Sequence, residues 1–181
     1  DQSLKVGVFN IHGCKGKDRI RDVSRVAECL EGFDIVSLHE VRGGYTTNQV
    51  DELGRQLSMM SLFAPTERRW GRNDFGNGML TNIKLRSALQ IPLVMTEHTY
   101  RNALLTKFRF GDQTVQLLPV HIDLHQDREQ QMRVVADLFC SLKAPAILMG
   151  DLNVEADHPC VQELLAEPGV HNALSTAPEN K

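Results

Sequence analysis

The stretch Pro145-Ala-Ile-Leu-Met-Gly-Asp-Leu-Asn153 constrains the fold more than any other. Ala146 to Met149 is an apolar run too short for a helix, and it reads as a buried strand in a sheet covered on both faces. Gly150 lets the backbone turn or approach another group closely. Asp151 and Asn153 then follow where the strand leaves the core. In open α/β sheets the rim beyond the carboxyl ends of the strands is where ligands bind. Gly-Asp-x-Asn is also good turn chemistry, because Asp and Asn bond their own backbone. Alone, the stretch leaves turn and site equally open.

Other segments repeat the pattern of an apolar strand with a polar tip. Lys5 to Phe9 is the first expected strand and ends at Asn10. Ile20, Val23, Val26, Ala27 and Leu30 fall at helical spacing, which predicts a helix from about Asp18 to Leu30, stopped by Gly32. Phe33 to Leu38 is the second strand, ending in His39, Glu40 and Val41. Strand, helix, strand in that order implies a crossover and parallel pairing. Val50, Leu53 and Leu57 mark a second helix, Met59 to Ala64 a third strand, and Pro65 to Asn77 a long loop before a strand from Asn77 to Leu80. Leu89 to Val94, interrupted by Pro92, reads as an edge strand. Asn102 to Phe110 and Gln113 to Ile122 form an expected hairpin around Gly111-Asp112. Asp127 is placed to cap a helix carrying Met132, Val135, Leu138, Phe139 and Leu142; Asp157 and Pro159 open a short helix through Leu165. Such mixing predicts layered α/β packing around mixed sheets.

With 181 residues, 41% hydrophobic and 24% charged, the chain suits one domain with a full-sized core. A net charge of -3 excludes a global electrostatic hold on nucleic acid, so anion binding would need a local patch. No apolar stretch is long enough to span a membrane. The sequence starts at Asp1, so a leader or anchor could have preceded it. Cys14, Cys29, Cys140 and Cys160 form no Cys-x-x-Cys pair and read as small, partly buried residues.

The strand tips gather Asn10, Glu40, His121, Asp151 and Asn153. Two carboxylates with carboxamides and water suit a hard divalent cation, Mg²⁺ or Mn²⁺, better than zinc. Such an ion polarises a phosphoryl oxygen. The second carboxylate can activate water, and a histidine can serve the phosphate or the leaving oxygen. The inventory fits metal-assisted phosphoester hydrolysis.

Phe9-Asn10-Ile11-His12-Gly13, Asp34-Ile-Val-Ser-Leu-His-Glu-Val41, Gly76-Asn-Gly-Met-Leu80, Val120-His121 and Met149-Gly-Asp-Leu-Asn153 occur in this order. Together they resemble the endonuclease/exonuclease/phosphatase superfamily, over nearly the whole chain. The resemblance implies two packed mixed β-sheets flanked by helices. It implies Glu40 as the principal metal ligand and Asn10 as a ligand of metal or phosphate. Asn77 would lie near the scissile phosphate, although it reads equally as a turn residue before a strand. His121 would contact the phosphate or assist the leaving group, Asp151 would orient or activate the attacking water, and Asn153 would steady the phosphate. Arg101 would match a basic position. The implied substrate is a phosphodiester: nucleic acid, lipid headgroup or small phosphoester.

Two departures stand out. The family pattern carries Gln where this sequence has His39, which reads as a tolerated change behind the site. The pattern also closes with a late Ser-Asp-His strand end that has no counterpart here. Asp157-His158 lies at an expected helix start and takes no such role. With Ala177 to Lys181 reading as a loop, the expectation is a chain lacking the family's last strands, with an exposed sheet edge. That gap motivates one alternative, a catalytically silent phosphate-binding domain. Another is a transition-metal hydrolase, since on a continuing strand His121, Asp123 and His125 would share one face. Lys15, Lys17, Arg19, Arg21 and the loop carrying Arg68, Arg69, Trp70 and Arg72 would flank the rim and meet phosphate or headgroup.

Overall fold

The computed structural model describes residues 3–44, 46–67, 74–93 and 100–173. Two four-stranded sheets lie face to face. The first runs β1 (Val6–Asn10), β2 (Ile35–Gly43), β4 (Asp74–Thr81), β3 (Met60–Glu67); the second runs β5 (Leu85–Pro92), β6 (Asn102–Phe110), β7 (Gln113–His121), β8 (Ala146–Asp151). Each sheet is mixed: β1 pairs parallel with β2, and β7 with β8, while the other pairs are antiparallel. Helices α1 (Val23–Leu30) and α2 (Gln49–Leu57) belong to the first half of the chain, and α3 (Arg128–Ser141) and α4 (Pro159–Ala166) to the second.

Strand alternation sorts the side chains into three apolar layers. Val36, Leu38 and Leu80 pack with Ala27 and Leu30 of α1 and Val50 and Leu53 of α2. Ile35, Met79, Leu104, Phe108 and Leu117 fill the space between the sheets. Leu118, Val120 and Ile122 pack with Met132 and Val135 of α3. Each fully buried Leu, Ile or Phe contributes about 1.5–3 kcal/mol. The sheets are therefore held together by a mainly apolar inner layer, with Ser37, His39, Asn77 and Asn102 buried toward one end.

Several boundaries differ from the sequence reading. Helix α1 begins at Val23, where the Asp22 side chain accepts from the backbone N–H of Ser24 and Arg25. Residues ahead of it form a hairpin-like turn closed by a bridge between Lys15 and Arg21. The expected loop from Pro65 to Asn77 is partly strand, since β3 runs to Glu67 and β4 starts at Asp74; a register shift beside Pro65 absorbs its missing N–H. Strand β5 starts earlier than Leu89 and lies at an edge, as Pro92 implies. Gly111, with φ +57, makes the hairpin turn between β6 and β7. Asp127 occupies the N-cap position of α3 without a capping side-chain bond, and His158 rather than Asp157 caps α4.

Strand β8 is covered on both faces, by Ile147 and Met149 toward the inner layer and Leu148 toward α3. All six of its residues are nevertheless only half-buried, because among the described residues β8 pairs on one side alone. The cysteines are free thiols; Cys14 is buried, but Cys29 and Cys140 are exposed. No helix among the described residues is long and apolar enough to cross a membrane. Arg68, Arg69, Trp70, Arg72, Val94 and Ala177 to Lys181 lie outside the described residues.

Candidate active site

The parallel pairs fix the site. Asn10 ends β1 opposite His39 of β2, and His121 ends β7 opposite Asp151 of β8. Both pairs end at the same rim. There Asn10 bridges the two sheets: its Nδ2 donates to Glu40 Oε1 at 3.0 Å and to Asp151 Oδ2 at 3.2 Å. The two carboxylates thus flank a single amide group. The His39 and His121 rings meet across the sheets with centroids 5.1 Å apart.

Glu40 reaches this position through a backbone device. Between Leu38 and Val41, β2 carries one residue more than β4, a β-bulge, and Glu40 takes φ +55. Simple alternation would send Glu40 toward the helices with Leu38. The bulge lets Val41 fill that outer layer and turns Glu40 to the rim. A non-glycine residue holds a left-handed conformation only where its surroundings over-determine it, and such residues cluster at functional sites. His12 and Asn153 share that conformation, with φ +47 and +51.

The 3-10 turn His12–Cys14 braces Glu40 from the outside. His12 Nδ1 lies 3.1 Å from Glu40 Oε2, and the His12 backbone N–H donates to Asn10 Oδ1 at 3.2 Å. Gln49 of α2 ties the turn to β2, donating to the Gly13 carbonyl at 2.8 Å and accepting from the Arg42 N–H at 2.9 Å. Burial raises the Glu40 pKa, but hydrogen bonds from Asn10 and His12 and the nearby imidazoles outweigh it, so Glu40 lies below the ordinary carboxylate range.

On the second sheet, Gly150 admits no side chain: its φ is +151, and a Cβ would stand 1.9 Å from the Val120 carbonyl oxygen. Asp151 Oδ1 accepts from the Asn153 N–H at 3.2 Å, and Asn153 Nδ2 donates to the Ile122 carbonyl at 2.8 Å. Turn and rim position are therefore one arrangement: the Asx-type bond orients the carboxylate. His121 is 4% exposed. Burial, His39 and Arg101 push its pKa down to about 4, against partial support from Asp151 and Glu40.

Some expected residues stand differently from their expected roles. Asn10 turns its amino group, not its carbonyl oxygen, to the carboxylates. Asn77 is 4% exposed and bonded to His39 and Asn102. Arg101 faces Asp123, with Nη2 at 3.7 Å from Oδ1. The proposed His121, Asp123, His125 face does not form. Strand β7 ends at His121, Asp123 is buried near Arg101 and the start of α3, and His125 is exposed. The sequence reading gives His39 only a tolerated change behind the site and gives Asn102 no role. The signal was available in parity, since His39 lies two residues from Ser37 and four from inner-layer Ile35.

Among the described residues, no three His, Cys, Asp or Glu side chains cluster closely enough to hold a metal unaided. The metal donors at the rim are the two carboxylates, Glu40 and Asp151; the Asn10 amide between them faces them nitrogen-first. Such a pair fits Mg²⁺ or Mn²⁺, which binds through one or two carboxylates and keeps several waters, and does not fit zinc.

Sequence comparison with curated proteins finds no match. Among solved structures, the chain is similar to an endonuclease/exonuclease/phosphatase family protein from Leptotrichia buccalis C-1013-b, with TM-score 0.70, 14% identity, and coverage of 90% of this chain and 72% of that one. It is similar to D. rerio TDP2 complexed with single strand DNA product, with TM-score 0.69, 21% identity, and coverage of 91% and 65%. It is also similar to sphingomyelinase C from Streptomyces griseocarneus, with TM-score 0.68, 16% identity, and coverage of 92% and 70%. These likenesses establish the fold. The family model for Endonuclease/Exonuclease/phosphatase matches residues 7–171, nearly the whole chain. The chain belongs to the Endonuclease/Exonuclease/phosphatase family.

Proposed function

We propose that this chain is a Mg²⁺- or Mn²⁺-dependent phosphodiesterase in which water attacks phosphorus directly. Family membership supports phosphoester hydrolysis at the coarse level. The observation that carries the finer reading is the shared amide of Asn10. It draws carboxylates from two different sheets to one point on the rim.

Glu40 would be the principal ligand of the cation, with Asn10 holding its carboxylate in place through Nδ2. When bound, the ion supplies positive charge against the phosphoryl oxygen. Asp151, held by its bond to the Asn153 N–H, orients the attacking water and accepts its proton. His121 enters as a neutral imidazole, since its pKa is about 4, and donates a hydrogen bond to the phosphate. Asn153 steadies the phosphate, and Arg101 offsets its charge from beside His121. Asn77 supports the rim from behind. The substrate is a phosphodiester. A nucleic acid strand and a lipid headgroup are the two classes suggested by the D. rerio and S. griseocarneus proteins. Exposed Lys15, Lys17, Arg19 and Arg21 follow the His12 turn and supply a local cationic surface.

The test is hydrolysis of bis(p-nitrophenyl) phosphate and plasmid DNA with added Mg²⁺ or Mn²⁺. Glu40→Ala and Asp151→Ala each lower the rate about 10³-fold or more with the fold retained. Parental rates in either folded variant would sink the reading. Turnover by the parent protein excludes a domain that only binds phosphate.

A further inference from the structure

We infer that His39 is a positioning residue: its buried imidazole, bonded to Asn77 and packed against His121, sets where Glu40 leaves β2 and where His121 stands opposite. What the positioned groups do rests on the phosphodiesterase reading; the positioning itself does not.

Strand parity places a polar group at the rim end of the inner layer. On β2, Ile35 faces the other sheet, and Ser37 and His39 continue that face; Met79 and Asn77 do so on β4, Leu104 and Asn102 on β6. His39, Asn77 and Asn102 are each at most 4% exposed, so each must find partners inside the protein.

The partners form a chain with one direction. The Ala64 carbonyl only accepts, so Asn102 presents Nδ2 to it at 3.2 Å. Asn102 Oδ1 therefore faces Asn77, which donates from Nδ2 at 2.8 Å; the same nitrogen reaches the Asn102 carbonyl at 3.3 Å. Both Asn77 amide hydrogens are engaged, and its Oδ1 is left to accept. Only a protonated Nδ1 of His39 can donate to it, at 3.0 Å. Nε2 is then the unprotonated nitrogen of the neutral ring, with Ser37 Oγ at 3.4 Å.

This chain links β2, β3 and β4 of the first sheet to β6 of the second. His39 is its end point and precedes Glu40, whose left-handed backbone needs restraint from its neighbours. Asn10 and His12 hold the Glu40 carboxylate from the solvent side. His39 holds the backbone from the interior. Its ring also stands 5.1 Å from that of His121, tilted by 52°, and limits the space His121 can take.

The experiment compares His39→Ala and His39→Gln, with folding checked by circular dichroism and melting. A glutamine amide can donate to Asn77 Oδ1 in place of Nδ1. His39→Ala is expected to lower kcat for bis(p-nitrophenyl) phosphate by about ten-fold or more with KM little changed. It is also expected to weaken Mn²⁺ binding measured by calorimetry, and His39→Gln to restore most of both. Independently of turnover, long-range ¹H–¹⁵N spectra of the parent protein should show His39 as the Nδ1–H tautomer. The Asn77 side-chain amide should exchange slowly in the parent and His39→Gln proteins and rapidly in His39→Ala. Parental kcat and Mn²⁺ affinity in His39→Ala, a folded His39→Gln as impaired as His39→Ala, or an Nε2–H tautomer would overturn the inference. If the parent protein turns nothing over, the phosphodiesterase reading fails, while the tautomer and amide exchange still decide the role of His39.

Discussion

Burial decides the charge of the site histidines. His121 is almost wholly enclosed, and its pKa falls from 6.5 to about 4. In the unfolded chain it takes up a proton near pH 6.5, while the folded protein resists until about pH 4. Its contribution to stability is therefore complete above pH 6.5 and is lost as pH falls toward 4, by on the order of 3 kcal/mol. Urea melts of the parent and His121→Gln proteins between pH 7.5 and 4.5 check this. The parent curve should fall more steeply with acid than the variant curve, and parallel curves would contradict it. Glu40 acts in the same direction at lower pH, because its depressed pKa stabilises the fold above its unfolded value and not below. A second residue-scale prediction concerns Gly150. A Cβ there meets the Val120 carbonyl oxygen at 1.9 Å with a backbone that disfavours any L side chain. Gly150→Ala should destabilise by about 3 kcal/mol or more in the same melts and displace Asp151. Gly111→Ala has open space around it and should cost about 1 kcal/mol through φ alone.

Elements explain which parts of this site could be read from the sequence. The tips of β1, β2, β7 and β8 were legible because a short apolar run followed by Asn, Glu, His or Asp marks a buried strand reaching a wet rim. Glu40 and Asp151 both reach the Asn10 amide at that rim. The bulge that delivers Glu40 was not legible, since Glu40-Val41 carries no glycine or proline to mark it. Pairing with β4, not local propensity, creates it. The half-exposure of β8 is not legible for a related reason: Ile147, Leu148 and Met149 record coverage of two faces but not how many neighbours the strand has along the sheet, which among the described residues is one. The start of α1 was misplaced because Ile20 fits helical spacing, yet it is 59% exposed in the turn ahead of the helix. Asp22 decides that boundary through its two bonds to the backbone N–H groups of Ser24 and Arg25. Asp22→Ala should therefore cost about 1 kcal/mol in thermal melting, with hydrolysis unaffected. Asp18→Ala, outside the helix and paired with Arg25 at the surface, should cost less. Equal losses would mean that the helix starts where the periodicity first placed it.

At the scale of the whole molecule, the site is a joint between two sheets that also meet through an apolar layer and the hydrogen bonds of Asn77 and Asn102 behind the rim. Asn10 alone bonds carboxylates from both sides of that joint in the described hydrogen bonds. A cation held there would bind the folded chain and not the unfolded one, so it must stabilise folding by mass action. At a concentration a hundred times its dissociation constant the gain is about 2.7 kcal/mol, which for a chain this long raises the melting temperature by roughly 5–10 °C. Melting curves titrated with Mn²⁺ and Mg²⁺, with a chelator as control, should show that rise. Glu40→Gln should abolish it, Asp151→Asn should reduce it, and a charge change far from the rim, such as Lys107→Gln, should leave it intact. A rise that survives Glu40→Gln undiminished would place the cation elsewhere, and the two strand tips would then meet for a reason other than metal.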